Sequence, residues 1–170
     1  MIPANRYREW RRYTPVVVAI MAGWQLGCAQ DITPPSLPAS ALAFEEPLPA
    51  PGQSARRVAI IRQFGDPVVV DVPATMKAGE PATVGVTTYT GGCITEDTTV
   101  VDVHARTADV VPFQRVYQPK PNEACATELQ VSHREVDVVF AEPGSATVNV
   151  FGRTHPDGGV VMVTRKVTVE

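Results

Sequence analysis

From residue 56 onward, apolar side chains recur at every second position, the spacing of strands that bury one face and wet the other. Val84, Val86 and Thr88 alternate in this way, as do Val101, Val103 and Ala105. The pattern returns at Val136, Val138 and Phe140, at Ala146, Val148 and Val150, and at Val161 and Val163. Turn residues punctuate these runs at 65–67, 77–81, 91–92, 119–122, 142–144 and 155–159, where Gly, Pro, Asn and Asp cluster. The spacing predicts about eight strands, over 58–63, 67–72, 82–90, 98–106, 108–117, 133–140, 145–152 and 160–169. No stretch beyond residue 56 carries helical periodicity. Short strands with Gly/Pro turns and no helices predict an all-β domain folded as two packed sheets.

The chain before residue 56 has a different texture. Arg6, Arg8, Arg11 and Arg12 precede a short apolar run from Pro15 to Trp24. That run is too short for a helix across a bilayer core of ~30 Å, which takes roughly 20 residues. It fits the core of an export signal. Residues 31–55 then hold six prolines, at 34, 35, 38, 47, 49 and 51. Proline removes backbone donors and favours extended polyproline-like chain, so a disordered spacer is expected over 28–55. Twenty-five such residues would reach about 75 Å at about 3.1 Å each. The expected organisation is thus a signal peptide at 1–27, an anchor site and linker at 28–55, and a β-domain at 56–170.

The residues Leu26-Gly27-Cys28 resemble the signal of bacterial lipoproteins, although Gln25 stands where that family usually carries leucine. The resemblance implies that Cys28 receives diacylglycerol and becomes the mature N-terminus, tethering the protein to a membrane of the cell envelope. Cleavage after Ala29, with Gly27 and Ala29 as the small residues, would instead release a soluble secreted protein. Within the domain, 78–86 (Ala-Gly-Glu-Pro-Ala-Thr-Val-Gly-Val) and 142–150 (Glu-Pro-Gly-Ser-Ala-Thr-Val-Asn-Val) resemble strands of bacterial immunoglobulin-like domains. That likeness spans roughly residues 66–170 and implies an immunoglobulin-like β-sandwich. Both tryptophans, Trp10 and Trp24, lie in the signal, so the domain lacks the buried Trp of antibody-type sandwiches.

The chain has three cysteines, an odd number that would leave a thiol unpaired in a secreted protein. With Cys28 lipidated or removed, Cys93 and Cys125 remain as one disulfide pair, common in oxidising compartments. They fall in expected loops. The formal charge of −3 divides unevenly. From residue 28 on there are 11 basic and 17 acidic residues, so 11 − 17 gives −6. With no basic run beyond Arg56-Arg57, no nucleic-acid partner is expected, because phosphate binding needs clustered Lys and Arg.

Catalytic and metal chemistry find little support. His104 alternates with Asp102 on a solvent face, His133 shares its face with Glu135 and Asp137, and His155 sits in a turn. None has the converging ligands that a metal needs. No serine lies in a Gly-x-Ser-x-Gly elbow, and Gly91-Gly92 and Gly158-Gly159 lead into no helix that would cradle phosphate. No cofactor is implied. The expectation is a non-enzymatic, lipid-anchored interaction or structural module. The rivals are a soluble secreted binder or inhibitor of the same fold, and a hydrolase whose site the residue pattern does not display. Two segments, 91–98 and 119–129, would be joined by the disulfide as a docking rim for a protein partner. Its candidate residues are Ile94, Glu96, Asp97, Tyr117, Lys120, Glu123 and Glu128.

Overall fold

A computed structural model of the chain describes residues 35–170. The expected signal peptide and Cys28 lie outside the described residues. Among the described residues, ten strands form one sheet that curls on itself. In chain order they are β1 (Ser54–Val58), β2 (Ile60–Gln63), β3 (Val70–Asp71), β4 (Thr75–Met76), β5 (Ala82–Thr90), β6 (Ile94–His104), β7 (Thr107–Tyr117), β8 (Gln130–Val138), β9 (Gly144–His155) and β10 (Val160–Val169). A four-residue helix, α1 (Ala39–Leu42), precedes them.

β5 carries antiparallel β8 along its full length, and β3 and β2 share its other edge. β9 is flanked by antiparallel β10 on one side and by parallel β7 and β2 on the other. β7 in turn pairs with β6 and β1, while β4 runs parallel to the end of β10. The curl encloses a core of Ile61, Met76, Val84, Val86, Ala108, Val110, Val138, Phe140, Ala146, Val148, Val150, Val167 and Val169. Most of these are β-branched, and in the long strands the period-two spacing delivers them to the same side.

The expected strands 82–90 and 160–169 match β5 and β10 to the residue. Elsewhere the structure differs from the sequence reading for local reasons. The run 58–63 is two strands, because the chain changes partners at Ala59. Its N–H donates to Pro112 O at 2.8 Å while its carbonyl accepts from Arg153 N at 2.9 Å. Of 67–72 only Val70 and Asp71 pair; Pro67 and Pro73 bracket them and offer no N–H to a ladder. β6 begins at Ile94 and β8 at Gln130, both earlier than expected.

The largest difference concerns the expected linker. Its described part is a strap laid against the outside of the sheet. Leu37 and Ala41 are buried with Val58, Val111, Phe113 and Phe151 in a second core. The Phe44 ring lies 6.2 Å from that of Phe113. A proline-rich segment cannot join the ladder, but it needs few backbone partners and can lie flat and lend side chains. β7 is consequently buried on both faces: Ala108 and Val110 point into the inner core, Val111 and Phe113 into the outer one.

Candidate functional site

Cys93 lies one residue before β6, and Cys125 lies in the segment between β7 and β8. They are bonded, with Cα atoms 5.2 Å apart. The bridge seats the 126–129 backbone directly on the turn before β6. Gly91 and Gly92 have φ of 123° and 59°. A Cβ on Gly91 would stand 1.9 Å from Glu128 O, and one on Gly92 2.5 Å from Ala126 O. Only glycine permits this approach and this backbone conformation.

Beside the seated segment runs a groove of about 230 Å³, lined among others by Ile60, Tyr89, Ile94, Glu128, Leu129 and His155. His155 also borders a second depression of about 490 Å³, with Arg62, Phe64, Thr154 and Asp157. Phe64 stands between solvent and this hollow, 73% exposed. It adopts φ 45°, a left-handed conformation that a bulky residue rarely takes. Its ring meets His155 edge-on at 5.4 Å. Leu129 and Val131 are exposed nearby in sequence. Thr154 bonds the Asp157 carboxylate, which holds that group below the usual carboxylate range. The chemistry on offer is apolar contact framed by a few fixed polar groups.

The rest of the 118–129 segment is internally braced. Tyr117 Oη donates to Glu123 Oε2 at 2.6 Å, and Lys120 N donates to the same oxygen at 3.0 Å. The Tyr117 bond lowers the Glu123 carboxyl pKa and raises that of the Tyr117 phenol. Lys120 lies over Gly52, where a Cβ would come within 2.6 Å of its Cε.

A second cluster lies on β6. The ladder to β7 shifts register between Glu96 and Thr99, so Asp97 and Thr98 together oppose Phe113. Such a bulge leaves main-chain groups without ladder partners. Arg134 supplies them. It reaches across from β8, and its Nη1 donates to Asp97 O at 2.9 Å and Phe113 O at 2.7 Å. Its Nε donates to Thr88 Oγ1 at 3.2 Å. Burial lowers the Arg134 pKa, partly opposed by the charges of Glu96 and Asp97. On the bulge's outer side the Asp97 carboxylate takes Arg56 Nε at 3.0 Å and Arg115 Nε at 3.2 Å. Burial pushes the Asp97 carboxyl up, but the Arg56 and Thr98 bonds and both arginine charges outweigh it and hold the pKa below its ordinary value.

The seven expected rim residues therefore part company. Ile94 and Glu128 line the groove. Tyr117, Lys120 and Glu123 brace their own segment. Glu96 and Asp97 are not loop residues, since β6 starts at Ile94. Asp97 in particular is a partner of two arginines with a side chain only 13% exposed, so it cannot serve as a free rim charge. The arginine pair 56–57 is likewise engaged, Arg56 with Asp97 and Arg57 with Glu45. His104 sits 2.9 Å from Asp102, and His133 3.7 Å from Asp71, both on exposed faces.

Phe64, Leu129, His155 as a rim residue, and Arg134 are not among the residues expected from the sequence. For Arg134 a signal existed: it stands two positions before Val136, on the alternation that carries Val136 and Val138 inward. For Phe64 the neighbouring Gly65-Asp-Pro67 marked a turn tip, where an aromatic has no core to enter.

Among the described residues, no group of three or more His, Cys, Asp or Glu is placed to hold a metal ion. No helix among them is long and apolar enough to cross a membrane. No protein-family model matches the chain, and neither a curated protein nor a solved structure matches it.

Proposed function

We propose that this is an exported, lipid-anchored envelope protein whose curled sheet is an immunoglobulin-like β-sandwich serving as a non-enzymatic interaction module. The observation that carries the reading is the Cys93–Cys125 disulfide. A stable bridge belongs to an oxidising compartment. It also accounts for two of the three cysteines, leaving Cys28 directly after an export-type signal. The division of the inner core supports the sandwich: Val84, Val86 and Val138 from β5 and β8 pack with Val110, Val148, Val150 and Val167 from β7, β9 and β10. The docking end is the groove beside Leu129 and the Phe64–His155 tip, and its occupant is a protein partner.

The strap changes the geometry of the anchor. Only residues 29–36 separate Cys28 from Leu37, the first buried residue of the strap. Fully extended, that interval spans at most about 30 Å, so the domain stands close to the membrane.

The test is the intact mass of the mature protein after fractionation of exporting cells. Wild-type protein should be in membranes, carry a diacylglycerol mass on Cys28, and show the loss of two hydrogens for the bridge. Cys28→Ala should leave the membrane fraction. A wild-type protein that is wholly soluble and begins at Gln30 overturns the anchor.

A further inference from the structure

The main chain of the strap closes on itself before it reaches the sheet. Leu42 N donates to Pro38 O at 3.1 Å and Ala43 N to Ala39 O at 3.3 Å. Phe44 N donates to Ala41 O at 3.0 Å and Glu45 N to Leu42 O at 3.3 Å. Among the described residues, the first main-chain bond from strap to strand is Glu46 N to Arg56 O, at 2.9 Å. Up to Glu45 the strap is held by side chains. Leu37, Ala41 and Phe44 sit on the outer core, Ser40 bonds the Asp102 carboxylate, and Glu45 lies between Arg57 and Arg153. Lifting such a segment breaks no ladder bond and leaves no main-chain group of the sheet without its partner.

The strap also stands in series between Cys28 and β1. A pull from the N-terminal side meets Leu37 first, then Ala41, Phe44 and Glu45, one contact after another. β1, by contrast, is held by five consecutive pairs to β7, from Ser54 with Tyr117 to Val58 with Phe113. The contacts loaded first are thus the ones whose loss leaves the sheet whole. Their loss uncovers Val58, Val111, Phe113 and Phe151, and that apolar surface draws the strap back.

We propose that the strap is a reach latch: docked, it keeps the domain close to the membrane, and released, it lets the folded domain move outward. The proposal rests on the lipid anchor at Cys28. Docked, the free tether ends at Leu37 and spans at most about 30 Å. Released, it ends at Glu46, and the roughly 18 residues after Cys28 span at most about 60 Å. A partner fixed beyond the shorter span is met only by the released form, so binding it in the groove shifts the population toward release. A partner nearer the membrane leaves the latch closed.

The experiment uses the exported, lipidated full chain in phosphatidylcholine vesicles. Hydrogen exchange is followed in urea too dilute to unfold the domain. The amides of 42–45 should exchange at least about tenfold faster than those of β7 and β9, at a rate indifferent to urea, while exchange in β7 and β9 rises with it. Ala41 is fully buried, and Ala41→Asp places a charge there that holds the strap off the sheet. Chymotrypsin should then cut after Phe44 at least about tenfold faster than in wild-type protein, with the Cys93–Cys125 bridge intact. For distance, Val131→Trp, at a position 64% exposed, supplies a single donor, since Trp10 and Trp24 both precede Cys28. Energy transfer to dansyl-labelled lipid should fall at least about twofold when Ala41→Asp is added. Strap amides that exchange only with the global transition, at the urea dependence of β9, overturn the latch. Unchanged energy transfer in the Ala41→Asp protein, with its strap cleaved rapidly, overturns the gain in reach. A wild-type protein without lipid overturns the anchor and the reach together, whereas the exchange result then still decides whether the strap opens.

Discussion

The sheet is buried on both sides, and by opposite means. Inside the curl, strand covers strand: Val84 and Val138 meet Val110 and Val148, and the contributors from the long strands sit on a regular alternation. Outside, a proline-rich strap covers β7 and β9 with three side chains, Leu37, Ala41 and Phe44, in no regular spacing. The inner core is long-range and cooperative, because each strand needs the others. The outer core depends on one segment that can leave without unzipping any ladder. Regions of the second kind open at lower free energy than the global transition. The contrast assigns two roles to burial here, one that makes the domain and one that fixes how its N-terminal segment sits on it.

The sharpest way to separate them is to remove one ring from each side of the same contact. Phe113 is fully buried on β7, and Phe113→Ala should cost about 3–5 kcal/mol of unfolding free energy. Phe44, 42% exposed, gives the strap's half of the contact, and Phe44→Ala should cost only about 1 kcal/mol. Urea unfolding measures both. Equal losses would mean that the strap folds as one unit with the domain and that the distinction is empty.

How much of this was legible in the residues follows the same division. Alternation marked β5 and β10 to the residue, because a strand with one buried face writes its burial into the sequence with period two. β7 breaks that rule with the unbroken run Val110-Val111-Pro112-Phe113, the mark of a strand buried on both faces. That run implied a cover for the outer face but did not say which segment supplies it. Composition pointed the other way, since six prolines argue for extended chain and give no hint that Leu37 and Ala41 are buried. The inward position of Arg134 was legible from the alternation, but its purpose was not. A charged residue on an inward position makes sense only once the bulge at Asp97 is known, and a bulge depends on how two strands meet. The disulfide was readable from the count of cysteines, but the groove beside it was not, because it depends on where Phe64 and His155 come together in space.

A second test addresses what pins the strap. Glu45 has a side chain only 11% exposed, held by Arg57 at 3.1 Å and by Arg153 at 2.8 Å. Arg153 Nε is buried without a partner, so this guanidinium is already short of one hydrogen bond. Replacing Glu45 by Gln keeps the shape but leaves two arginines facing each other with no anion between them. A partly buried pair lies between the small worth of surface ion pairs and the large cost of breaking buried ones, so a loss of about 2 kcal/mol is expected. The informative readout is local. Amides of 42–46 should lose hydrogen-exchange protection by more than those of β5 and β9, and loss spread evenly over the domain would place Glu45 with the inner core instead.

The smallest effect is electrostatic and concerns the node on β6. Asp97 is held below its ordinary pKa by Arg56, Thr98 N–H and Arg115 against the opposing push of burial. A carboxyl whose folded pKa is depressed binds protons more readily when unfolded, so acid favours unfolding. Its contribution to stability is fully present above the unfolded value of about 3.9 and is lost as pH falls through the lower folded value. Stability measured in urea at pH 7, 5, 4 and 3 should therefore drop more steeply for wild-type protein below pH 5 than for Asp97→Asn. Asp102, Glu123 and Asp157 are also lowered, by bonds from Ser40, Tyr117 and Thr154 respectively. They titrate in both proteins, so the difference between the two curves isolates Asp97. The gap should narrow as pH falls through the folded value of Asp97, which lies below the ordinary carboxylate range. Parallel curves from pH 7 to pH 3 would mean that Arg56 and Arg115 contribute nothing through Asp97, and that the bulge is held by the main-chain bonds of Arg134 alone.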